Sequence, residues 1–247
     1  MAVNADKQWN EVLTGADGAT IQAGPKAGTT TIEATAEAKQ VLAAIARSVV
    51  LTHAQTGDGE WIEIARNGQY SLIVKSDTVG TGRYSDTNNF IAYNTLNAGT
   101  TTNLRYAMNN WYSNTLDTNA RLRSFVVGHD ALAKLGTWAD LNAANGFSEP
   151  TGVAAGATDV AFPLSFQEAA TYMSTEWFDG SARRASSAEA IANWNKLENQ
   201  SVSWLRSPGR DSTRASSLYD LGYVDVTYVY RMRGIRPALW VETSIFD

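Results

Sequence analysis

Ser203-Trp204-Leu205-Arg206-Ser207-Pro208-Gly209 and, further on, Gly234-Ile235-Arg236-Pro237-Ala238-Leu239-Trp240-Val241 bracket the segment whose reading decides the fold. Each motif combines a tryptophan, an apolar run and an arginine close to Pro or Gly, a pattern of short strands closing a rigid frame. Trp204 and Trp240 read as core residues. Arg206 and Arg236 read as strand-end anchors that pair with buried carboxylates or backbone carbonyls. Gly209, Gly222 and Gly234 complete that frame, at strand breaks marked by Pro208-Gly209, Leu221-Gly222 and Arg233-Gly234.

Ser203 opens the segment, and Arg210, Asp211, Ser212, Arg214, Ser216, Ser217, Tyr219, Asp220, Tyr223, Asp225, Tyr228 and Tyr230 follow within it. Tyrosine supplies rigid contact area, serine and aspartate supply adaptable hydrogen bonds, and arginine supplies charged anchors, so this set predicts a recognition surface. Leu218, Leu221, Val224, Val226 and Val229 are expected to face the core. Tyr223, Asp225, Tyr228 and Tyr230 are expected to face outward.

Upstream, Ser165-Phe166-Gln167-Glu168 is a capping box that predicts a helix start. Trp61-Ile62-Glu63-Ile64-Ala65 alternates, Asn67-Gly68 signals a hairpin turn, and Tyr70-Ser71-Leu72-Ile73-Val74 predicts the return strand. Leu104, Met108, Trp111 and Tyr112 mark an amphipathic helix. Ala38, Leu42, Ile45 and Val49 fall on one helical stripe, with Thr35 as N-cap and Glu37 in the first turn. Residues 1–30 are small and polar, and read as loops and short extended pieces. Residues 79–102 and 136–158 read as long loops. The expected class is α+β, with short antiparallel strands, two to three helices and long ordered loops. Residues 56–247 are expected to form the ligand-binding domain. Residues 1–55 are either an attachment or oligomerisation segment or the first helix of that domain.

Composition narrows the function classes. The 247 residues are 44% hydrophobic and 18% charged, as in an ordinary globular protein. The net charge of −5 offers no basic field for nucleic acid or anionic membrane. Cysteine is absent, which removes disulfides, thiolate metal sites and cysteine nucleophiles. No apolar run approaches the length of a membrane span, and the first residues lack the apolar core of a signal peptide. The expectation is a virion component or a surface protein delivered by another route, or else a chain from which a leader has been removed.

The ordered motifs also carry a resemblance. They run from Gly59 and Trp61 through Val74, Asn103-Leu104-Arg105 to Trp111-Tyr112, Phe162-Pro163-Leu164-Ser165 with Glu168-Ala169, and on to the two C-terminal motifs. This order resembles a family of bacterial and phage domains that end in the Arg-Pro-Ala-Leu-Trp strand, over roughly residues 57–243. More distantly it resembles the C-type-lectin-like fold of formylglycine-generating-enzyme relatives and of variable proteins of diversity-generating retroelements. The resemblance implies a C-type-lectin-like fold and a C-terminal face that binds a cell-surface protein or glycan and that, in the variable proteins, is diversified genetically. In a phage it implies a receptor-binding protein, expected as a homo-oligomer. Ser, Thr, Asp, Tyr, Arg and Gly, the products of adenine-directed mutagenesis of Asn-type codons, crowd residues 210–231.

Catalytic chemistry finds less support. Formylglycine generation needs cysteines, and iron-dependent sulfoxide synthesis needs clustered histidines. Only His53 and His129 exist, far apart and without ligand spacing. Asp130 follows His129, but nothing resembles a nucleophile elbow. Glu63, Asp77, Asp86, Glu168, Glu176 and Asp179 are the carboxylates available for a glycosidase pair. Asp86, Asn88 and Asn89 read as an Asx-rich turn, and Glu149-Pro150-Thr151 lacks the amide of a calcium-dependent sugar motif. No metal, cofactor or catalytic residue is therefore expected. The competing readings are a structural assembly component with a fixed protein partner and, less supported, a carbohydrate-active enzyme.

Overall fold

A computed structural model describes the strand segments Trp9–Val12, Thr20–Ala23 and Thr31–Glu33 together with residues 49–96, 102–127, 159–179 and 182–247. The chain divides into two compact units, Met1–Arg47 and Ser48–Asp247. In the first, β1 (Trp9–Val12), β2 (Thr20–Ala23) and β3 (Thr31–Glu33) form an antiparallel meander. Val12 pairs with Ile21, and Ile21 pairs with Ile32. The helix expected after Thr35 lies outside the described residues, as does the loop expected over 136–158.

The second unit is α+β. It begins at Ser48 because β4 (Val50–Leu51) pairs with the strand after it, Val50 opposite Ile62 and Leu51 opposite Trp61. After the short α1 (His53–Thr56) come β5 (Trp61–Asn67) and β6 (Tyr70–Lys75). They form the expected hairpin, with Gly68 and Gln69 as the turn residues. The closing strand β14 (Ala238–Glu242) lies antiparallel to β6, so this sheet runs β14-β6-β5-β4. Its side chains alternate between two cores, as a period of two requires. Ile62, Ile64, Leu72, Val74, Ala238 and Trp240 enter one. Leu51, Trp61, Ile73, Leu239 and Val241 enter the other, where Trp111 meets Trp61 with ring centroids 6.0 Å apart.

The second sheet joins β7 (Thr81–Gly82), β8 (Glu176–Asp179), β9 (Ala182–Ala185), β10 (Ser203–Pro208), β11 (Arg214–Leu218), β12 (Tyr223–Tyr228) and β13 (Arg233–Gly234). Its order is β7-β13-β10-β11-β12-β8-β9. Arg233-Gly234, expected as a break, is itself a strand. It lies parallel to β10 at Ser203 and antiparallel to β7, and its pairing satisfies backbone groups that a free turn would leave to solvent.

Among the described residues, three longer helices brace these sheets. In α2 (Leu104–Asn110) the side chain of Asn103 accepts from the Tyr106 amide at 2.9 Å, and Leu104 and Met108 enter the larger core. The helix widens into a π turn over Trp111–Thr115. Arg105, in the first turn, pairs with the buried Asp159 at 2.6 Å. The capping box starts α3 (Phe166–Tyr172). Ser165 Oγ accepts from the Glu168 amide at 3.0 Å, and Glu168 Oε2 accepts from the Ser165 amide at 2.7 Å. α4 (Ala188–Trp194), capped by Ser187, packs on α3 and was not foreseen from sequence. No helix among the described residues is long and apolar enough to cross a membrane.

Candidate functional site

Two buried arginines fix the ends of the C-terminal strands. Arg206, 1% exposed, donates from Nη1 and Nη2 to the two Glu168 oxygens at 2.6 and 2.9 Å, and from Nη1 to the Pro163 carbonyl at 2.9 Å. Glu168 thus caps α3 and ties that helix to β10. Arg236 donates instead to carbonyls, those of Lys75 at 2.9 Å, Ser76 at 2.5 Å, and Asn199. Burial lowers its pKa to about 10, partly offset by Asp77, so it stays cationic at neutral pH. Trp204 is buried, donates Nε1–H to the Gly82 carbonyl at 2.8 Å, and meets Tyr84 edge-on at 5.6 Å. Trp240 is buried in the larger core. Gly209 and Gly234 sit where strands close, their amides donating to the carbonyls of Arg214 at 2.9 Å and Val202 at 2.8 Å.

On this frame stands the β11–β12 ribbon, whose register is regular. Arg214 faces Tyr228, Ala215 faces Thr227, Ser216 faces Val226, Ser217 faces Asp225 and Leu218 faces Val224. Paired residues share a face and successive residues alternate. One face therefore carries Leu218, Val224, Val226 and, at its far end, Arg214 with Tyr228. The other carries Tyr219, Tyr223, Ser217 and Asp225. The expectation of one outward set is corrected here: Tyr223 and Asp225 lie on the face opposite Tyr228, because Tyr228 follows Tyr223 by five positions, an odd offset.

Two aromatic clusters result. In the first, Tyr219 and Tyr223 stack with centroids 4.8 Å apart and planes at 13°. The Tyr219 hydroxyl donates to the Val226 carbonyl at 3.1 Å and lies 2.8 Å from Thr227 Oγ1, which lays the ring along the ribbon. Arg210 reaches Asp225 at 3.4 Å. Burial, reinforced by Tyr219, Asp225 and Asp220, raises the pKa of Tyr223, whose phenol stays a donor. In the second, Tyr228 and Tyr230 stack at 5.4 Å and each is 38% exposed. The Arg214 guanidinium covers Tyr228 at 4.3 Å, donates to its hydroxyl at 2.6 Å and binds Asp211. Arg231 lies 5.5 Å from the Tyr230 ring.

Other candidates fall elsewhere. Ser203, Ser216 and Ser217 are at most 2% exposed, so they are enclosed within the sheet and cannot reach an outside ligand. Covering both faces of a central strand leaves room only for small side chains there, and the Ser216 hydroxyl is used on the Pro208 carbonyl at 2.7 Å. Leu221, expected in the core, is 74% exposed at the turn tip, and Val226 is only partly buried. Ser212 and Asp220 are exposed on the flanking loops. Arg183 and Glu176, paired at 2.7 Å, were not foreseen as neighbours of Tyr223. They arrive through the parallel pairing of β8 with β12, which no local motif encodes.

The carboxylates considered for catalysis are dispersed. Glu63 binds Arg66 and Ser71, Asp77 accepts from the Thr78 amide, and Asp86 accepts from Thr102 and Asn103. Among the described residues no three His, Asp or Glu side chains gather as a metal site. His53 accepts from the Gly59 amide at 2.9 Å. His129, Asp130 and Glu149-Pro150-Thr151 lie outside the described residues, as does the Asp179 side chain.

The loop before β11 carries a pH signature. The Thr213 hydroxyl donates to Asp211 at 2.6 Å and the Thr213 amide at 2.9 Å, holding the Asp211 carboxyl below the usual aspartate range, with Arg214 adding to the effect. A lowered folded pKa means the stabilisation is present above the unfolded pKa and lost as pH falls through the lowered value. The Thr213 amide shift should therefore titrate below the range of a free aspartate, and Asp211→Asn should abolish that titration. An ordinary midpoint in an NMR titration would show that the turn does not hold Asp211.

Residues 139–243 match the profile of a family described as a domain of unknown function, DUF6273. No curated protein and no solved structure matches the chain.

Proposed function

We propose that the second unit is a non-catalytic recognition domain of C-type-lectin-like fold that binds a cell-surface protein or glycan through the β11–β12 ribbon. The carrying observation is the pair of aromatic clusters, ordered by internal contacts yet partly open to solvent. Tyrosines held in place before binding lose little freedom on contact, which favours affinity. Arg206 and Arg236 are committed to the frame, so loop residues can vary without loosening it. Several copies in a homo-oligomer on a virion or cell surface would convert weak single contacts into firm attachment.

The test is attachment of fluorescently labelled protein to a panel of bacterial strains. On a strain that binds, Tyr223→Ala or Tyr228→Ala is expected to weaken attachment by at least about 30-fold, roughly 2 kcal/mol, as for an aromatic hot spot. Because the two rings lie on opposite faces, the variant that loses binding identifies the face in contact. Unchanged attachment in both variants would sink the proposal. Comparison of sibling genes separates diversified binding from a fixed assembly partner. Substitutions concentrated at 210–231 favour the former, and an even spread favours the latter.

A further inference from the structure

At the far edge of the second sheet, α3, β8 and the β9–α4 connection enclose a cleft of about 280 Å³. Trp177 and Tyr172 form its aromatic wall, and Gln167, Thr171, Ser186 and Glu189 form its polar lining. Trp177 pairs in register with Val224 and Glu176 with Tyr223, so the cleft opens on the helix-bearing face, away from the Tyr219–Tyr223 stack. The Trp177 ring is held by an edge-on contact with Phe166, centroids 6.2 Å apart at 84°.

The chemistry of the lining selects the ligand. Among the described residues no lysine or arginine lines the cleft, and the Tyr172 phenol feels both Glu168 and Glu189, so an anion is disfavoured. Burial first, and those two carboxylates second, raise the pKa of Tyr172 and keep its hydroxyl a donor. Gln167 Nε2 donates to Thr171 Oγ1 at 3.3 Å, which leaves the Gln167 carbonyl oxygen to accept. A quaternary ammonium could sit against the rings and Glu189, but its methyl groups would strip water from Gln167, Thr171 and Ser186 without replacing those hydrogen bonds. A ring with an apolar C–H face and hydroxyls around its rim satisfies both walls. The volume lies just under the usual range of ligand sites, roughly 300–1,000 Å³, which limits the occupant to a single ring.

We propose that this cleft binds one neutral pyranose unit, stacked on Trp177 with its hydroxyls held by Glu189, Gln167 and Thr171. The inference does not rest on the ribbon's role.

The test uses the full chain and the methyl glycosides of glucose, galactose, mannose and N-acetylglucosamine, followed by saturation-transfer NMR. At least one glycoside is expected to bind saturably with a Kd of about 1–10 mM, the weak range of a single-ring contact. Glu189→Gln and Trp177→Ala should each raise that Kd tenfold or more, while Glu242→Gln, at the exposed end of β14 in the other sheet, leaves it unchanged. Glu189 is half-buried in the first turn of α4 and glutamine keeps its shape there, so its variant stays informative if Trp177→Ala unfolds. Absence of saturable binding by all four glycosides up to about 100 mM would overturn the proposal. So would binding of choline chloride alone, or glycoside binding that survives Glu189→Gln.

Discussion

Arg206→Met is expected to destabilise the second unit by about 3–5 kcal/mol, the cost of leaving one partner of a buried ion pair without its charge. For a unit of this size that corresponds to a fall in melting temperature of roughly 6–20 °C. The cause lies in the geometry. Arg206 is almost completely enclosed, binds both oxygens of Glu168 and also serves the Pro163 carbonyl, so methionine leaves a carboxylate and a carbonyl without their donor. Glu168→Gln should cost a similar amount, about 3–5 kcal/mol, because it strands the Arg206 charge, the more enclosed of the two, even though the amide oxygen can still accept from the Ser165 amide. The double variant Arg206→Met/Glu168→Met should recover part of the Arg206→Met loss, since no charge is then stranded. Calorimetry of the four proteins checks this. A loss below 1 kcal/mol for Arg206→Met would mean that the pair does not brace the C-terminal strands.

Gly222→Ala is the second large effect. Gly222 adopts φ +83° in the turn between β11 and β12, and its amide donates to the Tyr219 carbonyl at 2.9 Å. A Cβ there would lie 2.5 Å from Thr175 Cγ2 and 2.8 Å from Trp194 Nε1. The left-handed backbone costs an L-residue about 1–2 kcal/mol, and overpacking against the buried Trp194 adds about 1–3 kcal/mol. The expected loss is therefore about 2–5 kcal/mol. The turn also sets the Tyr219–Tyr223 stack, so binding through that face should fall with stability. Thr175→Ser in the same background removes the Cγ2 methyl and keeps the hydroxyl that donates to the Leu221 carbonyl at 3.0 Å, so partial recovery is expected. Without recovery in urea unfolding, the clash would have to reside wholly at Trp194.

Much of the local structure was legible because its causes are local. Alternation from Trp61 to Ala65 and the Asn67-Gly68 signal foretold the β5–β6 hairpin, whose turn shifted by one residue. Ser165 with Glu168 foretold the start of α3, since both capping bonds depend only on residues three apart. The burial of Trp204 and Trp240 followed from their size and apolar neighbours. The errors have equally specific causes. Leu221 is apolar but occupies a turn tip, where the backbone of Gly222 points it to solvent. Ser216 and Ser217 are polar but lie in a strand covered on both faces, where a small side chain is what fits. The outward set was drawn from alternation with the apolar positions, and the odd offset between Tyr223 and Tyr228 divides it between two faces.

By itself, then, the sequence determined the α+β class, the hairpin, the α3 cap and the apolar frame of the C-terminal strands, because periodicity, capping and turn chemistry act over a few residues. Tertiary structure alone decided that Arg206 meets Glu168, that Arg236 meets three carbonyls, and that β8 runs beside β12 and brings Arg183 and Glu176 near Tyr223. It also placed Trp177, Tyr172 and Glu189 around one cleft. These contacts join residues far apart in the chain, and their partners are chosen by how the sheets and helices pack against each other.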